Sequence, residues 1–92
     1  MQIKMKYSAQ LKREAGISEE LVDLQPDQSF DHLLATIANQ HSIGFRNVIF
    51  DDQNSRRKSL LIIQNGRQVN SEETLKLNNG DEILLMSPIA GG

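Results

Sequence analysis

Cysteine is absent from this sequence, and only two of its 92 residues are proline. Without cysteine there can be no disulfide framework, thiol nucleophile or thiolate metal site, and its absence fits a reducing cytoplasm. A strong charge bias is missing too: the formal net charge is −2, with both signs spread along the chain. That is not the basic footprint expected of a nucleic-acid-binding protein. No stretch reaches the roughly 18 apolar residues that a membrane span needs. The opening Met1-Gln2-Ile3-Lys4-Met5-Lys6 alternates, where an export signal would lead a charged segment into an apolar one. The expectation is a cytoplasmic protein with neither a membrane nor a nucleic-acid partner.

A chain of this length forms one domain and buries only about 60–65% of its unfolded surface. Few residues can then be spared to enclose a deep active site, so the size suits a carrier, a modifier or a binding module better than a self-sufficient enzyme.

From Ile3 to Leu11 apolar and polar residues alternate, the pattern of a half-buried strand. Gly16 ends that segment, and Val22 and Leu24 carry the same spacing, so Glu20–Leu24 is expected to run back beside it. Ser29 is placed to cap a helix, with Asp31 in its first turn. Phe30, Leu33, Leu34, Ile37 and Ala38 then make one apolar stripe, and the helix should end near His41. Residues 42–59 are the least regular, with Phe45, Val48, Ile49 and Phe50 available to pin part of them and a polar, exposed loop over 51–59. Leu60-Leu61-Ile62-Ile63 has the unbroken apolarity of a central strand covered on both faces or nearly so. Asn65-Gly66 is a hairpin turn signal, followed by a short return strand over Arg67–Asn70. Ser71–Leu75 suggests a helical turn, Asn79-Gly80-Asp81 another chain reversal, and Glu82–Met86 a last strand stopped by Pro88. One amphipathic helix must cover one face of the sheet. The fold class expected is α+β: a β-grasp, with a mixed sheet of four to five strands packed on one main helix and its first and last strands central and parallel. Residues 1–87 would form the domain and 88–92 a flexible Gly-Gly tail.

This order of elements, together with Asn65-Gly66, Asn79-Gly80-Asp81-Glu82 and the ending Pro88-Ile89-Ala90-Gly91-Gly92, resembles the MoaD/ThiS sulfur carriers. Ala9-Gln10-Leu11-Lys12-Arg13-Glu14 is also similar to the MoaD pattern after its first strand. The resemblance covers nearly the whole chain except the loop around 51–59. It implies that an adenylating enzyme of the ubiquitin-activating type uses ATP to convert the Gly92 carboxylate into an acyl-adenylate. A persulfide donor then delivers sulfur to give a thiocarboxylate, so the carrier itself needs no bound cofactor. The MoaD role would make the chain the small, non-catalytic subunit of a molybdopterin synthase, partnered by the large subunit. Carriers for cysteine or thiamine-thiazole synthesis are the alternatives within the family. A ubiquitin-like modifier joined through Gly92 to a target lysine shares the activation step, and a plain interaction domain with an idle tail is the remaining class.

The ending supports the carrier reading on physical grounds. Gly91 and Gly92 lack Cβ and can thread a narrow channel, and the segment from Pro88 through Ile89 and Ala90 to Gly92 reaches on the order of 16 Å when extended. Alternation sets Ile3, Met5 and Tyr7 toward the helix and Lys4, Lys6 and Ser8 away from it. Likewise Ile83 and Leu85 should face inward and Leu84 and Met86 outward, either as a partner-docking patch beside the tail or packed under the 42–59 segment. The resemblance implies aromatic residues on this face, where Ser8 and Met86 stand at the matching positions, and a leucine where this chain has Gln68. Other polar groups suggest less. His32 and His41 share no metal-ligand spacing, no metal site is expected, and both histidines are read as surface residues. Asp51-Asp52, Glu72-Glu73 and Arg56-Arg57-Lys58 are read as solvated charge.

Overall fold

The alternating N-terminal pattern does make a strand, but a shorter one than its length suggests. In the computed structural model, which describes residues 1–70 and 73–87, β1 spans Gln2–Ser8 and gives way to a helix, α1, over Gln10–Ala15. Ala9, at φ 55°, breaks the extended run. Leu11 therefore reaches the core from α1 and not from the strand. The segment Leu11-Lys12-Arg13-Glu14-Ala15 is made of good helix formers, and that local preference overrides two further residues of alternation. Gly16 closes α1 in the left-handed conformation (φ 75°), its N–H donating to the Lys12 carbonyl at 2.9 Å, a turn that glycine adopts without a Cβ clash.

Strand β2, Glu19–Asp23, runs antiparallel to β1 with Ile3 opposite Val22. Helix α2, Phe30–Gln40, begins where expected: the Ser29 hydroxyl accepts from the His32 N–H at 3.1 Å. Its stripe of Phe30, Leu33, Leu34, Ile37 and Ala38 is buried against the sheet. Each large side chain so buried stabilises by about 1.5–3 kcal/mol. The segment after it is more ordered than its composition suggests. Helix α3, Ile43–Ile49, is capped by the Ser42 hydroxyl, which accepts from the Phe45 N–H, and it drives Phe45 and Ile49 into the core.

Strands β3 (Leu61–Gln64) and β4 (Arg67–Val69) form the hairpin across Asn65-Gly66, both of which have positive φ (50° and 85°), the geometry of a type I′ turn. Of the helical turn expected over 71–75, residues 71 and 72 lie outside the described residues, and 73–75 are not helical. Strand β5 covers Glu82–Met86, and the sheet order is β2-β1-β5-β3-β4. The β1–β5 pair is parallel and the other neighbours are antiparallel. A mixed five-stranded sheet wrapped on a main helix is the β-grasp, or ubiquitin-like, fold. The helices lie on one face only, so β3 is not covered on both faces: Ile62 is buried, whereas Leu61 and Ile63 are half-buried on the other side.

Asp81 ties two turns together. Its carboxylate accepts from Asn78 N–H (2.8 Å), Asn65 Nδ2 (2.9 Å) and Gln64 Nε2 (3.1 Å). Burial would by itself raise this carboxyl, but hydrogen bonds from Asn65, Asn78 and Gln64 outweigh it and hold the group below its ordinary value of 3.8. A depressed acid stabilises the fold above its unfolded value, and that contribution is lost as pH falls through the folded value. Asp81→Ala would strand three donors and is expected to cost about 1–3 kcal/mol at neutral pH. In urea unfolding at pH 7 and again in acid, the gap between wild type and variant should narrow as the pH drops. An equal gap at both would show that the carboxylate contributes nothing as a charge.

Candidate functional site

The side of the sheet opposite the helices is where register brings the sequence-predicted residues together. Paired residues share a face, and β5 lies between β1 and β3. One row across the sheet is Lys6–Leu84–Ile63–Gln68 and the next is Ser8–Met86–Leu61. Leu84 and Met86 thus face away from α2, as alternation required. Both are half-buried, because Ile63 and Leu61 stand beside them. Ser8 and Gln68 flank the pair on the same face. The alternative in which the 42–59 segment covers Leu84 and Met86 does not hold: α3 packs on α1 and α2, and Phe45 and Ile49 enter the core from the helix side. Pro88, Ile89, Ala90, Gly91 and Gly92 lie outside the described residues, and the chain leaves β5 through Ser87, directly after the apolar row.

Leu61 and Ile63 are additions that sequence reasoning placed in the interior. The available signal was period two within the run, with Leu60 and Ile62 inward, but an unbroken apolar stretch conceals its own alternation. Four aliphatic or thioether side chains therefore line the open face beside the end of β5. The other half of the face is charged. Lys6 Nζ lies 3.0 Å from the Glu82 carboxylate, and Lys4 Nζ is 3.5 Å from Glu19 and 3.9 Å from Glu82. The hydrogen bond and charge of Glu82 raise the Lys6 amine above its ordinary value, and Lys6 in turn lowers Glu82. Exposed pairs of this kind add little stability; they leave the strip beside the apolar rows nearly neutral. Leu21, on edge strand β2 beside Lys4, is 60% exposed and extends the apolar surface past the ladder.

The polar residues read as solvated charge are tied down more than that reading allowed. Arg56 Nε pairs with Asp31 at 3.0 Å, and its guanidinium sits 5.5 Å from the Phe30 ring centroid. Arg57 Nε donates to the Asn47 carbonyl at 2.6 Å. Glu73 meets Arg67, and Glu72 lies outside the described residues. Asp51 caps its own turn by accepting from the Gln53 and Ser55 N–H groups, which hold its carboxyl below the ordinary value. His32 stays on the surface beside Gln28, but His41 does not. Its ring lies 4.6 Å from that of Phe45 and edge-on to Tyr7, and its Nε2 is 2.6 Å from Glu20. Tyr7 donates its hydroxyl to the same Glu20 oxygen at 2.5 Å. This cluster fastens the α2–α3 joint to β2, a contact between residues far apart in sequence with no local signature. Among the described residues no group of three or more His, Cys, Asp and Glu side chains could hold a metal ion, and no helix is long and apolar enough to cross a membrane.

Residues 5–92 match the family model described as the ThiS family. The chain belongs to the ThiS family. It is thus a ubiquitin-like sulfur carrier of the MoaD/ThiS type. Over its full length, and that of the relative, it is 28% identical to a molybdopterin synthase sulfur carrier subunit from Chlamydomonas reinhardtii. Among solved structures it is similar to SAMP1 of Haloferax volcanii (TM-score 0.83, 24% identity, all of both chains covered). It is also similar to a putative molybdopterin converting factor subunit 1 from Pyrococcus furiosus (TM-score 0.68, 28% identity, 97% of this chain and 99% of that one). Within this ThiS-family protein the apolar rows end at Met86, one residue before the described segment closes at Ser87.

Burial drives the Tyr7 phenol above its ordinary range, with the Glu20 hydrogen bond and charge next in weight. A raised acid of this kind stabilises below its unfolded value of 10.0 and loses that contribution as pH climbs. Tyr7 is the single tyrosine, so absorbance near the phenolate band reads it alone. Ionisation is expected to appear only together with alkaline unfolding. A reversible titration at the ordinary tyrosine value in the folded protein would contradict the buried hydrogen bond.

Proposed function

We propose that this protein carries sulfur on the carboxylate of Gly92 for molybdopterin synthesis, as the small subunit of a molybdopterin synthase. The observation that carries the reading is the open apolar face: the Met86–Leu61 and Leu84–Ile63 rows lie on β5 and β3, and β5 ends one residue before Ser87, to which Pro88–Gly92 are joined in sequence. A partner that covers these rows excludes water from the apolar side chains and receives the adjoining segment into its own active site. Gly91 and Gly92 add no side chain to block that entry. Relatives whose names refer to a molybdopterin synthase or converting factor, at 28% identity each, favour this acceptor over others in the family.

The activating partner joins the Gly92 carboxylate to the α-phosphate of ATP and releases pyrophosphate. The terminal sulfur of a persulfide then displaces AMP to give an acyl disulfide, and a second thiol cleaves the S–S bond, leaving the thiocarboxylate. ATP, the persulfide and the catalytic groups belong to the partners. The carrier contributes a docking face and a reactive end, in the cytoplasm. The second partner is the large subunit of the synthase, which receives the sulfur.

Incubation with ATP, a sulfur source and host extract, followed by intact-mass measurement, should show one oxygen replaced by sulfur. A variant lacking Gly91 and Gly92 should show no change. Leu84→Glu, which sets a charge among the apolar rows without touching the core, is expected to slow charging at least tenfold, about 1.4 kcal/mol of lost docking energy. Lysine conjugates through Gly92 in place of a thiocarboxylate would establish a modifier, and normal charging of Leu84→Glu would remove the open face from the docking site.

A further inference from the structure

On the helix side, α2, α3 and the turn that follows α3 surround a cleft of about 520 Å³ to which no sheet strand contributes. That volume lies within the range of roughly 300–1,000 Å³ typical of small-ligand sites. Ala35, Ala38 and Phe50 give it apolar walls, and Asn39, Arg46 and Asn54 give it hydrogen-bonding groups. The two alanines of α2 leave the space that a longer side chain would fill.

The charge within this cleft is unevenly satisfied. Arg56 on its wall is ion-paired with Asp31, yet its Nη1 is buried and has no hydrogen-bond partner among the described residues. Arg46 is half-buried, lies 5.6 Å from the Phe50 ring centroid and donates to the Asn54 side chain. Among the described residues no carboxylate lies within ion-pairing distance of it. The loop that presents Asn54 is held in advance: Asp51 accepts from two backbone N–H groups, and Asp51 N–H donates back to the Ser55 carbonyl at 2.9 Å. Asn54 itself is left-handed at φ 61°, a conformation asparagine tolerates better than most residues. A guanidinium with no carboxylate partner among the described residues, flanked by one amide on α2 and one on a pre-ordered loop, is a carboxylate-binding arrangement. With Arg46 the cation of this cleft that has no ion pair among the described residues, and Asp31 at the rim, the site matches a single negative charge better than a doubly charged phosphate.

We propose that this cleft binds a carboxylate-bearing ligand, with Arg46 as its counter-charge and the Asn39 and Asn54 side chains as further donors. The ligand's apolar part rests against Ala35, Ala38 and Phe50. Such a carboxylate can come from a free small acid or from an acidic side chain of a protein. The site is separate from the open sheet face, so it can be filled while a sulfur-transfer partner is docked, and it stands whether or not that partner is a synthase.

The test is an amide-resolved NMR titration of the full chain with benzoate and, separately, with an acetylated and amidated Gly-Glu-Gly peptide, against sodium chloride at matched ionic strength. The expected result is saturable shifts at Ala35, Asn39, Arg46 and Asn54 with Leu84 and Met86 unmoved. Saturation by benzoate alone assigns a free acid, and saturation by the peptide assigns a protein carboxylate. Arg46→Ala should weaken binding at least tenfold. Ala35→Leu should block the cleft sterically without altering charge, and at an exposed helix position it should leave the fold intact. Shifts equal to those of sodium chloride, or undiminished binding by Ala35→Leu, would overturn the proposal even if Arg46→Ala failed to fold.

Discussion

Strands β1 and β5 lie side by side and parallel, although nearly the whole described chain separates them. Parallel neighbours cannot be joined by a tight hairpin, so everything between them must be arranged as a long crossover that returns the chain in the same direction. The register is locked at its start: Gly80 N–H donates to the Gln2 carbonyl, Lys4 N–H to the Asp81 carbonyl, and Gln2 N–H to the Asn79 side chain. A slip of one residue would turn Ile83 and Leu85 to solvent and drive Leu84 and Met86 into the helix. The core and the open face depend on this one pairing together.

The same pairing relates the fold to its chemistry. Because β5 is the middle strand, its outward residues have apolar or polar neighbours on both sides, and the segment that follows starts from the centre of the sheet and not from a frayed edge. Leu84 and Met86 of β5, with Ile63 and Leu61 of β3 beside them, form one continuous apolar surface on the open face. The Lys4/Lys6–Glu19/Glu82 ladder neutralises the strip next to the apolar rows.

The helix side has a different logic. There the side chains serve mainly to hold elements to one another: Arg56 spans from Phe30 and Asp31 to the Glu73 carbonyl, and Glu20 gathers Tyr7 and His41. These residues looked unremarkable in sequence because their partners lie far along the chain. Polarity describes a residue's affinity for water, not whether a distant partner will compete for it. The same reasoning explains α3, whose few apolar residues make too short a pattern to separate a helix from a pinned loop; the Ser42 cap and the burial of Phe45 and Ile49 decide it.

Local signals were enough for elements whose instructions lie within a few residues. The Ser29 cap and its apolar stripe define α2, Asn65-Gly66 defines the hairpin, and alternation over Glu82–Met86 assigns the two sides of β5 correctly. Where alternation stopped was not local information: Ala9 turns the chain into α1, which then carries Leu11 into the core. Nor could the run Leu60–Ile63 reveal that one of its faces is open, because hydrophobicity records only that a side chain avoids water and not which neighbour covers it. Only the tertiary structure, by placing all helices on one side of the sheet, decided that Leu61 and Ile63 would join Leu84 and Met86 on the other.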